Sequence, residues 1–378
     1  MEAYEDVEPA SRFDGVWFEV YDVNGYQSLI DAADGYRSLI DATRALADGG
    51  TGGDDAYLVE TLGYLRDNGI RVRACLPLDL YKEGLFDELM DVSREAGLGI
   101  DVWPVLNKEH GIWVNKENID VYVDYVKDLE ARYGDTFREM DSRLMVDIEP
   151  QESWSGHIID QVAMLFSPGR REEHDRAVKE AGEKLTGLAD YLKERGIGSV
   201  AILPERERGF LERFGAPLPD LSHFDGIELM SYASMTLKPF MTDTFAHKVL
   251  TDHVNKLYEA YPDKDIGVSL GITEAGYGHR SMVELFDLYY HTPEGREKLC
   301  DQREVIEAVA RGARERTGSD KQFAVSLFQL VDLKRDWAER FDIKEYEGPS
   351  RPDDPGWRNA LARWFGRLVQ RGTPVEEV

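Results

Sequence analysis

Eight short apolar runs alternate with helical patterns along the chain, and this alternation limits the fold more than any single motif. The runs are Val16–Tyr21, Ile70–Pro77, Leu98–Leu106, Arg143–Ile148, Ser199–Leu203, Phe224–Tyr232, Asp265–Leu270 and Phe323–Leu330. Their β-branched and aromatic residues suit strands. Between them the spacing predicts helices over Ala56–Asn68, Leu85–Ala96, Asn118–Tyr133, Arg171–Arg195, Asp243–Tyr261, Arg303–Thr317 and Pro355–Arg371. Glycine follows several of these helices just before the next strand, at Gly69, Gly97 and Gly196, the usual helix stop.

Eight strands alternating with helices predict the α/β class and a (β/α)8 TIM barrel. The chain has 378 residues, more than the ~250 usual for such a barrel. Extended loops and extra helices must therefore take up the surplus. The expectation is one domain over 1–378, with its barrel core at about 14–371 and a short disordered tail at 1–11. A doubly wound open sheet is the competing fold. It is disfavoured because no glycine-rich phosphate fingerprint follows the first strand. One local oddity is a tandem decapeptide, Gly25–Asp34 and then Gly35–Arg44. Two copies are too few for a solenoid, so the duplication reads as structural, within the first βα connection.

The chain is 42% hydrophobic and carries 73 acidic against 45 basic residues, a net charge of −28. Such a surface repels nucleic acid and anionic membranes, so neither is an expected partner. The acids are spread along the chain, which fits a protein kept soluble at high salt and points to a halophilic source. Two cysteines far apart, Cys75 and Cys300, suggest neither a disulfide framework nor a zinc site. Met1–Ser11 lacks an apolar signal core. No run approaches the roughly 18 uninterrupted apolar residues of a membrane span. The expected location is the cytoplasm. Sequence leaves the oligomeric state open.

In a barrel of this kind the reactive groups sit at the C-terminal ends of the strands. The fourth strand ends in Asp147-Ile148-Glu149-Pro150. Alternation along a strand puts Asp147 and Glu149 on one side, their Cα atoms about 6–7 Å apart. Paired carboxylates suit acid/base work, because each raises the other's cost of ionising. The alternative role is a strand end whose acids cap a helix or pair with arginine. Other strand ends offer Glu19, Asn107, Trp113, Glu205, Glu228, Tyr232, Tyr277 and Gln329. Carboxylates and amides hydrogen-bond hydroxyls, and aromatic faces, including those of Trp103 and Trp154, stack on sugar rings. Few lysines or arginines stand at these ends, which argues against a phosphorylated substrate. Asp147, Glu149, Glu205 and Glu228 also have the oxygen chemistry for magnesium or manganese, but no HxH or HExxH spacing appears. The expectation is no cofactor and no metal.

Three stretches resemble family 18 glycoside hydrolases, the chitinase-like barrels. Asp147-Ile148-Glu149 is similar to the end of that family's fourth-strand motif. Phe224–Tyr232 resembles its sixth strand. Asp265–Ile272, followed by Gly276-Tyr277-Gly278, resembles its seventh. The resemblance implies Glu149 as proton donor, Asp147 as the residue that helps the substrate's acetamido group attack, and Tyr232 as a hydrogen-bond partner of the substrate. The match covers about half the chain and departs at Ser142, Met145 and Ala233, and at Phe328 or Gln329. The Asp-x-Glu pair also resembles that of family 25 lysozymes. If the substrate lacks an N-acetyl group, a second carboxylate is needed, with Glu228 and Glu205 as candidates. The first reading is therefore a glycoside hydrolase-like enzyme with a carbohydrate substrate. The alternatives are a non-catalytic glycan-binding barrel and a metal-dependent sugar isomerase or aldolase.

Overall fold

The computed structural model describes residues 15–18, 29–50, 56–67, 69–81, 84–107, 110, 114–148, 167–204, 212, 215–232, 243–271 and 293–328. Eight strands are found among them: β1 (Gly15–Phe18), β2 (Arg71–Pro77), β3 (Ile100–Val105), β4 (Arg143–Asp147), β5 (Gly198–Pro204), β6 (Gly226–Tyr232), β7 (Asp265–Gly271) and β8 (Phe323–Phe328). Every neighbouring pair is parallel, and β8 pairs back to β1 through Gly15 beside Ser326, so the sheet closes on itself. Followed once around the sheet, the strand registers return to β1 displaced by 8 residues. This shear fixes the strand tilt of a closed sheet.

The helices are α1 (Leu29–Ala47), α2 (Ala56–Asp67), α3 (Leu78–Tyr81), α4 (Leu85–Ala96), α5 (Ile119–Glu139), α6 (Pro168–Glu194), α7 (Asp243–Ala260) and α8 (Pro293–Thr317). Helix α1 crosses the tandem decapeptide, where sequence patterning predicts no helix. The reason is visible in the second copy: Tyr36, Leu39, Ile40 and Thr43 are all buried, which is one helical stripe. Helices α5 and α8 run longer than their apolar spacing predicts, and the predicted helix at Pro355–Arg371 lies outside the described residues. No helix among the described residues is long and apolar enough to cross a membrane.

Strand alternation separates two cores. Val72, Val102, Val146, Ala201, Ile227 and Val268 face outward into the apolar layer under the helices. The alternate residues, among them Arg73, Asp101, Trp103, Met145, Asp147 and Glu228, are equally buried but face the inside of the sheet. The strands begin at their N-terminal ends with Arg71, Arg143 and Asp265, and with glycine in β1, β5 and β6. Asp101 collects the first two of these arginines. It accepts from Arg71 Nε at 2.9 Å, from Arg143 Nη2 at 2.8 Å and from the Arg143 backbone N–H at 3.0 Å.

Candidate active site

Asp147 is the last residue of β4, on the inward face and 3% exposed. The apolar Leu144-Met145-Val146 run that makes β4 a strand carries it there. The strand end is clasped from both sides. The Ile148 N–H donates to the Ile202 carbonyl at 3.0 Å, and Val114 forms an isolated parallel bridge to Ile148. Burial pushes the Tyr122 phenol well above its usual range, and the nearby Asp147 charge pushes it further. Tyr122 stands in the first turn of α5, and its buried hydroxyl has no hydrogen-bond partner among the described residues.

The chain leaving β3 passes along this end of β4 and is ordered by three asparagines. Asn107 Oδ1 accepts the His110 N–H at 3.2 Å. Asn115 Oδ1 accepts the N–H groups of Glu117 at 2.9 Å and Asn118 at 3.3 Å, while Asn118 Oδ1 accepts the Asn115 N–H at 2.8 Å. This reciprocal pair has the hydrogen-bond pattern of a capping box and closes the turn just before α5. Asn118 Nδ2 also donates to the His110 carbonyl at 3.0 Å. Asn115 and Asn118 are both buried.

Glu228 lies in the same lateral row as Asp147, since both pair with Ile202. Two strand spacings put their Cα atoms about 10 Å apart. The Glu228 carboxylate is engaged inside the sheet: it forms a buried ion pair with Arg73 of β2 and accepts the Ser269 hydroxyl of β7. Gly267 lies beside it, where an added Cβ would stand 3.1 Å from Glu228 Oε2. Glu228 is thus part of a charged cluster spanning the interior. Trp103, read from sequence as a possible sugar platform, is 2% exposed in mid-strand β3.

Asn107 is half-buried at the exit of β3. Tyr232 ends β6 with its backbone beside Gly271; its side chain lies outside the described set. Glu149, Glu19, Trp113, Glu205, Tyr277 and Gln329 also lie outside the described residues. No group of three or more His, Cys, Asp or Glu side chains among the described residues stands together to hold a metal ion.

Sequence reading missed Arg73, Ser269 and Asn118. The signal for Arg73 was present. An arginine inside the apolar run Val72–Pro77, on the same face as Cys75, implies a buried counter-ion.

No protein-family model matches the chain, and no curated protein matches it. Solved structures similar to it include a family 1 β-glucosidase from Thermotoga maritima, at 15% identity over 83% of this chain and 87% of that one, with a TM-score of 0.44. A GH5 xyloglucanase from Bacteroides ovatus, in complex with an XXXG heptasaccharide, gives 13% identity over 85% and 69% with a TM-score of 0.44. A D-allulose 3-epimerase from Methylomonas sp. gives 13% identity over 83% and 84% with a TM-score of 0.37. Likeness at this level fixes neither substrate nor reaction.

Proposed function

We propose that the chain is a single-domain (β/α)8 TIM barrel whose C-terminal mouth hydrolyses a glycan, with Glu149 as general acid. A closed eight-stranded parallel sheet with a shear of 8 supports the barrel reading. The observation that carries the functional reading is Asp147. An acid buried to 3% exposure, on the inward face at the last residue of a barrel strand, is placed for chemistry. Glu149 follows two residues later, at the spacing that strand alternation keeps on one side.

In this scheme Glu149 donates a proton to the leaving glycosidic oxygen. Asp147 steadies the charge that develops beside it, and Tyr232 hydrogen-bonds the substrate. On an N-acetylated sugar the acetamido oxygen attacks the anomeric carbon, as in family 18 enzymes, and water then opens the intermediate with Glu149 acting as base. Glu19, Asn107, Trp113, Glu205, Tyr277 and Gln329 line the sugar path. Glu228, committed to Arg73 and Ser269, supports the site from below. The scheme requires no cofactor.

The test is hydrolysis of a panel of oligosaccharides, including N-acetylglucosamine oligomers, by the wild type and by Glu149→Gln. The variant is expected to keep its fold and lose at least about 10³-fold in kcat, since acid catalysis and charge stabilisation fail together. Retained turnover removes Glu149 from the role. Sugar binding without turnover in the wild type leaves a non-catalytic glycan-binding barrel.

A further inference from the structure

We infer that Asn118 is a positioning residue for the end of β4 that carries Asp147, an inference that rests on the glycosidase reading for its catalytic consequence. The path is short and each step is a contact. Asn118 Oδ1 accepts the Asn115 N–H at 2.8 Å, and Asn118 Nδ2 donates to the His110 carbonyl at 3.0 Å. One side chain therefore ties together both ends of the segment from His110 to Asn115. Val114, next to Asn115, bridges Ile148, and Ile148 is the residue after Asp147. On its other edge Ile148 is held by the Ile202 carbonyl at 3.0 Å.

The strand end thus has one edge fixed by β5 and the other by Val114, next to the Asn115 that Asn118 holds. Strand β4 itself stops at Asp147, so beyond it the Ile202 and Val114 contacts replace regular pairing. Asn118 is 4% exposed, so water does not readily take the place of its amide when the side chain is removed. Releasing the Val114 edge lets the Asp147–Glu149 backbone shift. A misplacement of about 1 Å at a reacting group costs roughly 10²-fold in rate. Trp113, on the sugar path in this scheme, belongs to the same stretch of chain, so KM shifts as well, and the displacement of Asp147 is read from kcat and from the pH–rate profile.

The experiment compares wild type, Asn118→Ala and Asn118→Asp by amide hydrogen exchange and by steady-state kinetics on the best glycan found. Asp keeps the oxygen that accepts from the Asn115 N–H, loses the donor to the His110 carbonyl and brings a buried negative charge. In Asn118→Ala the exchange protection of the Val114 and Asn115 amides is expected to fall at least tenfold. Protection in β7 and in α7 should stay as in the wild type. The kcat is expected to fall tenfold or more, with a smaller rise in KM, and the pH–rate profile to change shape. Asn118→Asp, which keeps only the Asn115 bond, should recover the Asn115 protection in part and leave kcat reduced. Should Asn118→Ala not fold, Asn118→Ser, which shortens the side chain and drops the donor to the His110 carbonyl, takes its place with the same expected fall in protection. Wild-type protection at both Val114 and Asn115 in the variant overturns the inference, as does an unchanged kcat. The exchange arm needs no sugar. Failure of the glycosidase reading, seen as a wild type without turnover, is therefore distinguishable from failure of the Asn118 link.

Discussion

Asp101 and Asp147 stand on adjacent strands, both facing inside the sheet, and they are 0% and 3% exposed. Their surroundings differ. Asp101, near the N-terminal end, is held by Arg71 and Arg143 and by a backbone N–H. Burial pushes its carboxyl up, but Arg143 and then Arg71 outweigh this and hold it below the ordinary carboxylate range. Asp147, at the C-terminal end, lies beside the buried Tyr122 phenol and is followed by Glu149. The same residue type at the same depth serves anchoring at one end and, at the other, is the acid to which the proposal assigns chemistry. Burial alone does not mark a functional acid; its neighbours and its end of the strand do.

The strongest way to break this comparison is through Glu228, which the contrast places on the anchoring side. Glu228→Gln leaves Arg73 buried beside a neutral partner, and urea unfolding should show a loss of about 3–5 kcal/mol. Replacing both partners with methionine is expected to recover most of it. A Glu228→Gln protein of unchanged stability that has lost sugar binding returns Glu228 to the substrate-contacting set.

Asp101→Asn comes next, with an expected loss of about 3 kcal/mol, because Arg71 and Arg143 both lose their counter-ion while keeping some water contact. The sign of the pH effect follows from the lowered folded-state pKa. The carboxylate's contribution is present above the ordinary aspartate value of about 4 and fades as pH falls through the folded value. Wild-type stability should therefore drop below about pH 4 more steeply than that of Asp101→Asn. Parallel acid-unfolding curves sink the assignment.

Gly267→Ala sharpens the picture of the interior. Its Cβ would meet Glu228 atoms at 3.1 to 3.3 Å, so the carboxylate must shift against Arg73, at a cost of about 1–2 kcal/mol. The smallest stability effect is assigned to Asp147→Asn, within about 1 kcal/mol of the wild type, since groups placed for chemistry are commonly not optimal for stability. Its activity should nonetheless fall about 10²-fold or more. A large destabilisation with activity intact would place Asp147 with Asp101 as an anchor.

The strands were legible because apolar runs of alternating pattern leave few other options. Their predicted spans agree with the observed ones to within a few residues, as at Arg143–Ile148 against Arg143–Asp147. Helix α1 was less legible, because its repeat places Gly35 inside the helix and glycine reads as a turn residue. Asp147 was legible as a strand-end acid. Glu228 was legible as an inward-facing residue, through its period with Met230 and Tyr232, but not as an anchor. Its partners Arg73 and Ser269 lie 155 and 41 residues away, and no local pattern links them.

By itself the sequence determined the succession of strands and helices, the strong negative charge and the two-residue spacing of Asp147 and Glu149. These depend on local periodicity and composition. Only the tertiary structure decided which buried acids are neutralised. Closure of the sheet brings β2 across from β6 for the Arg73–Glu228 pair, while the register of β3 against its two neighbours sets Asp101 between Arg71 and Arg143. Charge pairing acts over a few ångströms in space and is indifferent to separation along the chain.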